Sequence, residues 1–258
     1  MTTQASHHNH DLHNLRYPDP PSTEHDDQAS YAAYAERTGL DTASNTYVGT
    51  QYEYAVAAAL RRLGFDLRRV GGRADRGIDL LGTWTLPSPT PSPSSPISSS
   101  SSPPPPLRIL LQCKASASRS TAVGPQYIRE LEGAFAGAPA GWRRRLSASG
   151  RVVAPGSESG PGSGVLGLLV AQRPATKGIR DALGRSRWPM GYVACAADGR
   201  LQQMLWNRAA EDEGLEGLGV GVRYFEVVQC GGGGGRGKQQ QPPLDQELVL
   251  TWRGKPVV

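Results

Sequence analysis

Beyond residue 25 the chain contains no histidine, since all five (His7, His8, His10, His13 and His25) fall in the first 25 residues. If that polar tail is disordered, the folded part holds none, which excludes Ser-His-Asp, Cys-His and His-metal chemistry from the core. The His-rich tail itself reads as a solvated low-complexity segment rather than a metal site. Cysteine is scarce too. Cys113, Cys195 and Cys230 stand far apart and form no CxxC pair. Neither a zinc site nor a disulfide framework is expected, and a reducing compartment fits. No run of about 18 apolar residues occurs, so no membrane span is expected. A secretory signal is missing. Asp11, Asp19, Glu24, Asp26 and Asp27, with Arg16 the only arginine before Arg37, also make the N-terminus a poor transit peptide.

Glycine and proline are abundant instead, at 32 and 21 residues of 258, against 38% hydrophobic residues. Much of this bias sits in tracts. Residues 87–106 are almost wholly Pro and Ser, residues 137–163 are rich in Gly, Ala, Pro and Ser, and residues 231–243 are another biased insert. Such segments bury too little apolar surface to offset chain entropy. The expected organisation is a polar, mostly disordered segment over 1–45 and one α/β domain over 46–225. That domain carries disordered inserts at about 87–106 and 147–163. A low-complexity segment with a terminal edge strand covers 226–258. Strands flanking the first insert can still pair, because each doubling of a flexible loop adds only about 0.6 kcal/mol.

Charge is unevenly placed within the net +5. Residues 1–45 hold two arginines against seven acids, whereas residues 46–146 hold thirteen Lys/Arg against six acids. A basic excess on that middle segment favours a polyanionic partner such as nucleic acid. An arginine-rich composition with no functional meaning is the alternative.

The pattern along the chain predicts a short helix over Ser30–Thr38 ending near Gly39, then a helix over residues 50–63. Thr50 and Glu53 have capping-box spacing, and Tyr52, Val56, Ala59, Leu60 and Leu63 share one face. Strands are expected at Phe65–Val70, Gly77–Trp84 and Arg108–Ala115. A helix from about Pro125 follows, with Ile128, Leu131 and Phe135 buried. Gly164–Gln172 reads as a strand covered on both faces. Thr176 caps a further helix, and Tyr192–Ala197 and Leu201–Trp206 form a hairpin across Asp198-Gly199. Glu247–Trp252 reads as a last edge strand. Helix, three strands, helix, strand, helix and strand pair make a mixed sheet flanked by helices.

Two of these strands carry polar groups where an apolar strand should have none. In Arg108–Lys114 the alternation of side chains places Gln112 and Lys114 on one face and Cys113 on the other. Asp79 interrupts the apolar run of the neighbouring strand. A carboxylate holding Mg²⁺, an amide oxygen as weak ligand and an ammonium on a phosphate would make a metal-assisted phosphodiesterase site. Glu53 reaches the same metal if its helix packs across the sheet. Asp79, Glu53 and Gln112 are thus the candidate ligands, and Lys114 completes the candidate catalytic set. Each has a plainer reading. Asp79–Lys114 could be a structural ion pair, Glu53 a capping residue, Gln112 a core hydrogen-bonder, Asp75 a turn residue and Cys113 a small core residue.

Glu53, Gly64-Phe65, Asp75-Arg76-Gly77-Ile78-Asp79-Leu80, Gln112-Cys113-Lys114 and the helix over Pro125–Phe135, in that order, resemble the Mrr-like branch of the restriction-endonuclease-like nucleases. There Gln replaces the usual acid of the D…(D/E)xK signature. The resemblance implies a restriction-endonuclease-like core acting on DNA, with Asp79 as metal-binding Asp, Gln112 as substituted acid, Lys114 as catalytic Lys and Glu53 as helix-borne acid. Nucleases of this fold often act as homodimers. The string Tyr47-Val48-Gly49-Thr50-Gln51-Tyr52-Glu53-Tyr54, with the Gln-Cys-Lys strand and the Ile179–Trp206 region, is similar to the fungal mitochondrial "required for respiratory growth protein 7" family. That similarity spans about 46–135 and 164–225 and implies a mitochondrial protein needed for respiration. The chain departs from the pattern at Ala74, where a further Gly is common before Asp75, and in its Pro/Ser insert. A catalytically inactive nucleic-acid binder of the same fold, or a mitochondrial factor with no nucleic-acid role, are the alternatives to a nuclease.

Overall fold

The computed structural model describes residues 15, 17–72, 77–87, 106–115, 123–139, 141–142, 164–226 and 244–257. Asp75, Cys230 and nearly all of the three biased tracts lie outside the described residues.

Two helices open the fold, α1 over Gln28–Thr38 and α2 over Asn45–Arg61. Asp27 and Ser30 cap α1 reciprocally, and Gly39 ends it in the left-handed conformation at φ 65°. The expected start of α2 at Thr50 is five residues late. Ser44 is the N-cap, accepting the Tyr47 N–H at 3.2 Å, so Thr50 lies inside the helix and Glu53 is not part of a capping box. The Thr-x-x-Glu spacing was a chance match, because Tyr47 extends the packed aromatic face one turn earlier.

A sheet of six strands follows: β1 Phe65–Arg69, β2 Leu80–Trp84, β3 Leu107–Lys114, β4 Val165–Ala171, β5 Met190–Cys195 and β6 Leu201–Trp206. The strands lie in chain order, with β3–β4 and β4–β5 parallel and the other pairs antiparallel. The two parallel steps carry crossover helices, α3 (Gln126–Gly137) and α4 (Lys177–Arg185). Thr176 caps α4 through the Ile179 N–H, and Gly199 makes the β5–β6 turn at φ 84°. Tyr52, Val56 and Leu60 of α2 pack with Leu80, Ile109, Leu111 and Leu168 on one face of the sheet. Ile128, Leu131, Ile179 and Leu183 pack with Leu81, Leu110, Leu169 and Tyr192 on the other. Every residue of β4 is buried, as a strand covered on both faces requires. Truncating Leu111 or Leu168 to alanine in this core costs about 2–5 kcal/mol.

Two expectations fail outside the main sheet. Leu244–Trp252 (β8) is no edge strand. It is the middle of a separate sheet between β7 (Leu218–Glu226) and β9 (Lys255–Pro256), docked through Leu218, Leu248 and Leu250 onto the α2-side core. The glycines and exposed apolar residues of Leu218–Glu226 blur the period-two signal, which hid β7. The fold is also not free of histidine. His25 packs against Tyr31 with ring centroids 4.5 Å apart and shares a 2.7 Å hydrogen bond between Nδ1 and the Tyr54 hydroxyl. Upstream, Tyr17 meets Trp142 edge-on and Arg68 covers its face at 4.4 Å. Residues 17–27 are therefore packed onto the domain by aromatic contacts that a polar composition does not reveal. Among the described residues no helix is long and apolar enough to cross a membrane.

Candidate active site

Asp79 is the last residue before β2, and its backbone ties three strands together. Its carbonyl accepts the N–H groups of Val70 and Gly71, each at 2.8 Å, and its own N–H donates to Leu111 at 2.9 Å. Its side chain is pinned as well, with Oδ2 accepting the backbone N–H of Cys113 at 2.6 Å. A Cβ on Gly71 would come within 2.9 Å of the Asp79 Cα, so this close approach needs glycine. The Asp79 carboxylate thus lies against the C-terminal end of β3, on the peptide between Gln112 and Cys113.

Gln112 is 5% exposed on the α3 side of the sheet. Its Nε2 lies where a Cβ on Gly77 would come within 3.0 Å, and Gly77 has φ 78°, so both space and backbone call for glycine there. Its Oε1 is buried without a hydrogen-bond partner among the described residues. Leaving such an oxygen unpaired costs about 1–3 kcal/mol, and Gln51 Oε1 on α2 is in the same state. The plain core hydrogen-bonding role considered for Gln112 is not met at this atom.

Lys114 extends the same face. Its Nζ is 3.2 Å from Glu130 Oε2 and 4.5 Å from the centre of the Tyr127 ring, both on α3. Cys113 turns the opposite way and packs against the α2-side core, as the alternation requires. Desolvation, followed by the carboxylates of Asp79 and Glu53, raises its thiol well above the ordinary range, so it is no nucleophile.

Glu53 projects from α2 and forms an ion pair with Arg69 at the end of β1, the two side chains being 13% and 14% exposed. Arg69 also donates to the Thr50 hydroxyl at 3.3 Å. The structure therefore gathers Asp79, Gln112 and Lys114 at one end of β3. Glu53, on α2, has its charge engaged by Arg69. Among the described residues no group of three or more His, Cys, Asp or Glu could hold a metal ion.

Four contributors escaped the sequence reading: Thr50, Arg69, Tyr127 and Glu130. Arg69 could have been found, since it shares the inward face of β1 with buried Phe65 and Leu67. Glu130 carries no such signal, because one acid on an exposed helix turn looks like any other.

Residues 44–158 match the family described as "Required for respiratory growth protein 7". An uncharacterised mitochondrial protein of Schizosaccharomyces pombe is 24% identical over 192 residues, covering 73% of this chain and 62% of that protein. The chain thus spans less than two thirds of that relative's length. No solved structure matches the chain. The chain is thus similar to a family named for respiratory growth and to a protein described as mitochondrial.

Proposed function

We propose that the chain is a nuclease of the restriction-endonuclease-like, Mrr-like kind that hydrolyses phosphodiesters of DNA. Asp79, Gln112 and Lys114 form its centre and Glu53 is its supporting acid. The observation that carries the proposal is Gln112 Oε1, buried without a hydrogen-bond partner among the described residues, on the strand whose Cys113 N–H holds the Asp79 carboxylate. An amide oxygen and a carboxylate suit Mg²⁺, a hard cation that takes oxygen ligands and keeps several waters, so few protein donors suffice. When bound, such an ion supplies a water of lowered pKa and neutralises phosphate charge.

The chain's own residues have separate tasks in this reading. The Cys113 N–H orients the Asp79 carboxylate, and Gly77 leaves room for the Gln112 amide. Lys114 exchanges Glu130 for the phosphate, where its ammonium acts as a point charge. Arg69 pairs with Glu53 in a partly buried position. Purified protein is expected to nick supercoiled plasmid DNA with Mg²⁺ or Mn²⁺, and Asp79→Ala and Lys114→Ala should both lose that activity. Undiminished cleavage by either variant overturns the assignment.

A second reading has one specific observation behind it. Glu53 and Lys114 are both engaged, by Arg69 and Glu130, which suits a protein that binds nucleic acid without cleaving it. Such a protein would bind DNA with a steep salt dependence and show no metal-dependent nicking.

A further inference from the structure

Residues 172–189, which include α4, carry five cations against one acid: Arg173, Lys177, Arg180, Arg185 and Arg187 against Asp181. All five cations are exposed. On α4 itself Lys177, Arg180, Asp181 and Arg185 fall within about 140° of helical arc, opposite buried Ile179 and Leu183. Exposed arginines elsewhere have acids of their own, as Arg37 has Glu24, Arg208 has Glu211 and Asp212, and Arg223 has Glu247. Two further acids come from α3. Glu132 accepts the Ser186 hydroxyl at 2.6 Å, at the C-terminal end of α4, and Glu130 is engaged by Lys114. At the other end Arg173, Lys177 and Arg180 face Asp181 alone, which pairs with Lys177 at 2.7 Å.

Register and packing set that basic end beside the candidate centre. β3 and β4 run parallel with Lys114 opposite Ala171, so Arg173 lies two residues past the strand neighbour of Lys114. Its Cα therefore stands within about 12 Å of the Lys114 Cα, from a strand spacing of about 4.8 Å and at most about 3.6 Å per residue. A Cβ on Gly178 would meet Pro125 Cδ at 3.6 Å, which puts the start of α4 against the start of α3. Tyr127, two residues after Pro125, has Lys114 Nζ 4.5 Å from its ring centre. Ile179 and Leu183 pack with the α3 residues Ile128 and Leu131, so α4 lies on the face of the sheet that carries Gln112 and Lys114.

Exposed cations leading away from a centre that takes one phosphate fit the further phosphates of the same strand. Resting on the reading above that DNA is held at Lys114, we infer that Arg173, Lys177 and Arg180 bind the neighbouring phosphates of the DNA backbone and so position the strand. Such contacts fix register and carry no base sequence. A membrane surface is the other polyanion that basic helices meet, but those helices lay an apolar face into the lipid. The apolar residues Ile179 and Leu183 of α4 are buried in the core, and the exposed large hydrophobics among the described residues, Val222, Tyr224 and Phe225, all lie on β7.

The test is fluorescence anisotropy of full-length protein with a labelled DNA duplex, in EDTA and across a salt series, so that binding is read apart from cleavage. Each phosphate contact adds about 0.9 to the slope of log affinity against log salt. The triple variant Arg173→Gln, Lys177→Gln, Arg180→Gln should lose about two to three units of slope and bind about tenfold or more weaker at low salt. Arg180 also donates to the Ala175 carbonyl at 2.6 Å. The double variant Arg173→Gln, Lys177→Gln leaves that contact alone and should lose about one to two units. Arg37→Gln with Arg208→Gln and Arg223→Gln removes the same charge elsewhere and should keep the wild-type slope. With Mg²⁺ and plasmid, the triple variant should show a raised KM and an unchanged kcat, as lost positioning requires. The expected slopes without nicking by wild-type protein support the inference and favour the DNA binder over the nuclease. An unchanged slope in both α4 variants, an equal loss in the control, or a lowered kcat at unchanged KM overturns the inference while DNA binding stands. So does lost binding to phosphatidylcholine vesicles with about 30% anionic lipid while DNA affinity is kept, which assigns the face to a lipid surface. If wild-type protein binds no DNA, the inference fails together with the reading it rests on.

Discussion

The Asp79 carboxylate accepts the Cys113 N–H at 2.6 Å, while the Asp79 N–H donates to the Leu111 carbonyl at 2.9 Å. One residue thus continues the β2–β3 ladder and points its charge at the end of β3. The first contact is made by the side chain and the second by the backbone, so they can be separated. A hydrogen bond to a charged group is worth about 1.5–3 kcal/mol, and Asp79→Ala should lower unfolding free energy by about that much. Asp79→Asn keeps an acceptor and should lose less. Both should abolish metal-dependent nicking. If Asp79→Asn cleaves as well as wild type, Asp79 is a structural residue alone.

Glu53 and Arg69 hold each other largely out of water. Removing one member of such a pair strands the other charge, and full burial makes that cost about 3–5 kcal/mol. At their residual exposure Glu53→Gln should fall at or below the lower end of that range in urea unfolding. Replacing both, as Glu53→Gln with Arg69→Met, should recover much of the loss, because no buried charge is left alone. Activity separates the two roles of Glu53. If it supports the catalytic centre, cleavage stays low in the double variant although stability returns. If cleavage recovers with stability, Glu53 serves the fold only.

The main sheet was legible because its signals are local. The alternation in β1, the fully apolar β4 and the Asp198-Gly199 turn each state their structure in a few residues. Even the face assignment of Gln112, Cys113 and Lys114 follows from a period of two. The partners of those side chains were not legible. Lys114 meets Glu130, sixteen residues later, and Glu53 meets Arg69, sixteen residues later. Such pairings depend on how helices lie across a sheet, which no spacing rule encodes. The packing of His25 was hidden for the same reason, because its partners Tyr31 and Tyr54 are brought to it by the α1–α2 turn. Thr50 misled by fitting a local rule that Ser44 satisfies instead.

Gly77 shapes the candidate centre without contributing chemistry. At φ 78° an alanine is strained by its backbone, and its Cβ would stand 3.0 Å from Gln112 Nε2. Left-handed strain at a non-glycine residue costs about 1–2 kcal/mol. Gly77→Ala should therefore lower stability by about that much while displacing the Gln112 amide. Cleavage should fall more than about tenfold if Gln112 Oε1 has to be held in place, given that an ångström of misplacement can cost about a hundredfold. A variant with the expected stability loss and full activity would show that the position of the amide does not matter.

Alkaline pH probes the α2-side core and the sheet together. Burial pushes the Cys195 thiol from 9.0 up to about 12 and the Tyr192 hydroxyl from 10.0 up to about 12. Burial raises Tyr52 as well, whose hydroxyl donates to the Cys195 carbonyl at 2.7 Å. In the unfolded chain these groups ionise near their ordinary values. Below about pH 9 both states keep the protons, and the full stability is present. Above it the unfolded chain releases protons that the native state retains, so stability falls as pH rises. Each such proton contributes a slope of about 1.4 kcal/mol per pH unit until the native group itself ionises. The urea midpoint should stay flat up to about pH 9 and then decline, more steeply once the tyrosines join near pH 10. Cys195→Ala should weaken the first part of that decline, whatever constant offset its cavity adds, and the buried Cys113 thiol, raised in the same way, should supply the remainder. Tyr52→Phe should be less stable at neutral pH by about 1 kcal/mol for the lost hydrogen bond, yet fall less steeply above pH 10. Stability that rises across this range, or Cys195 alkylated in the native protein at the rate of a free thiol, would contradict the burial on which the decline depends.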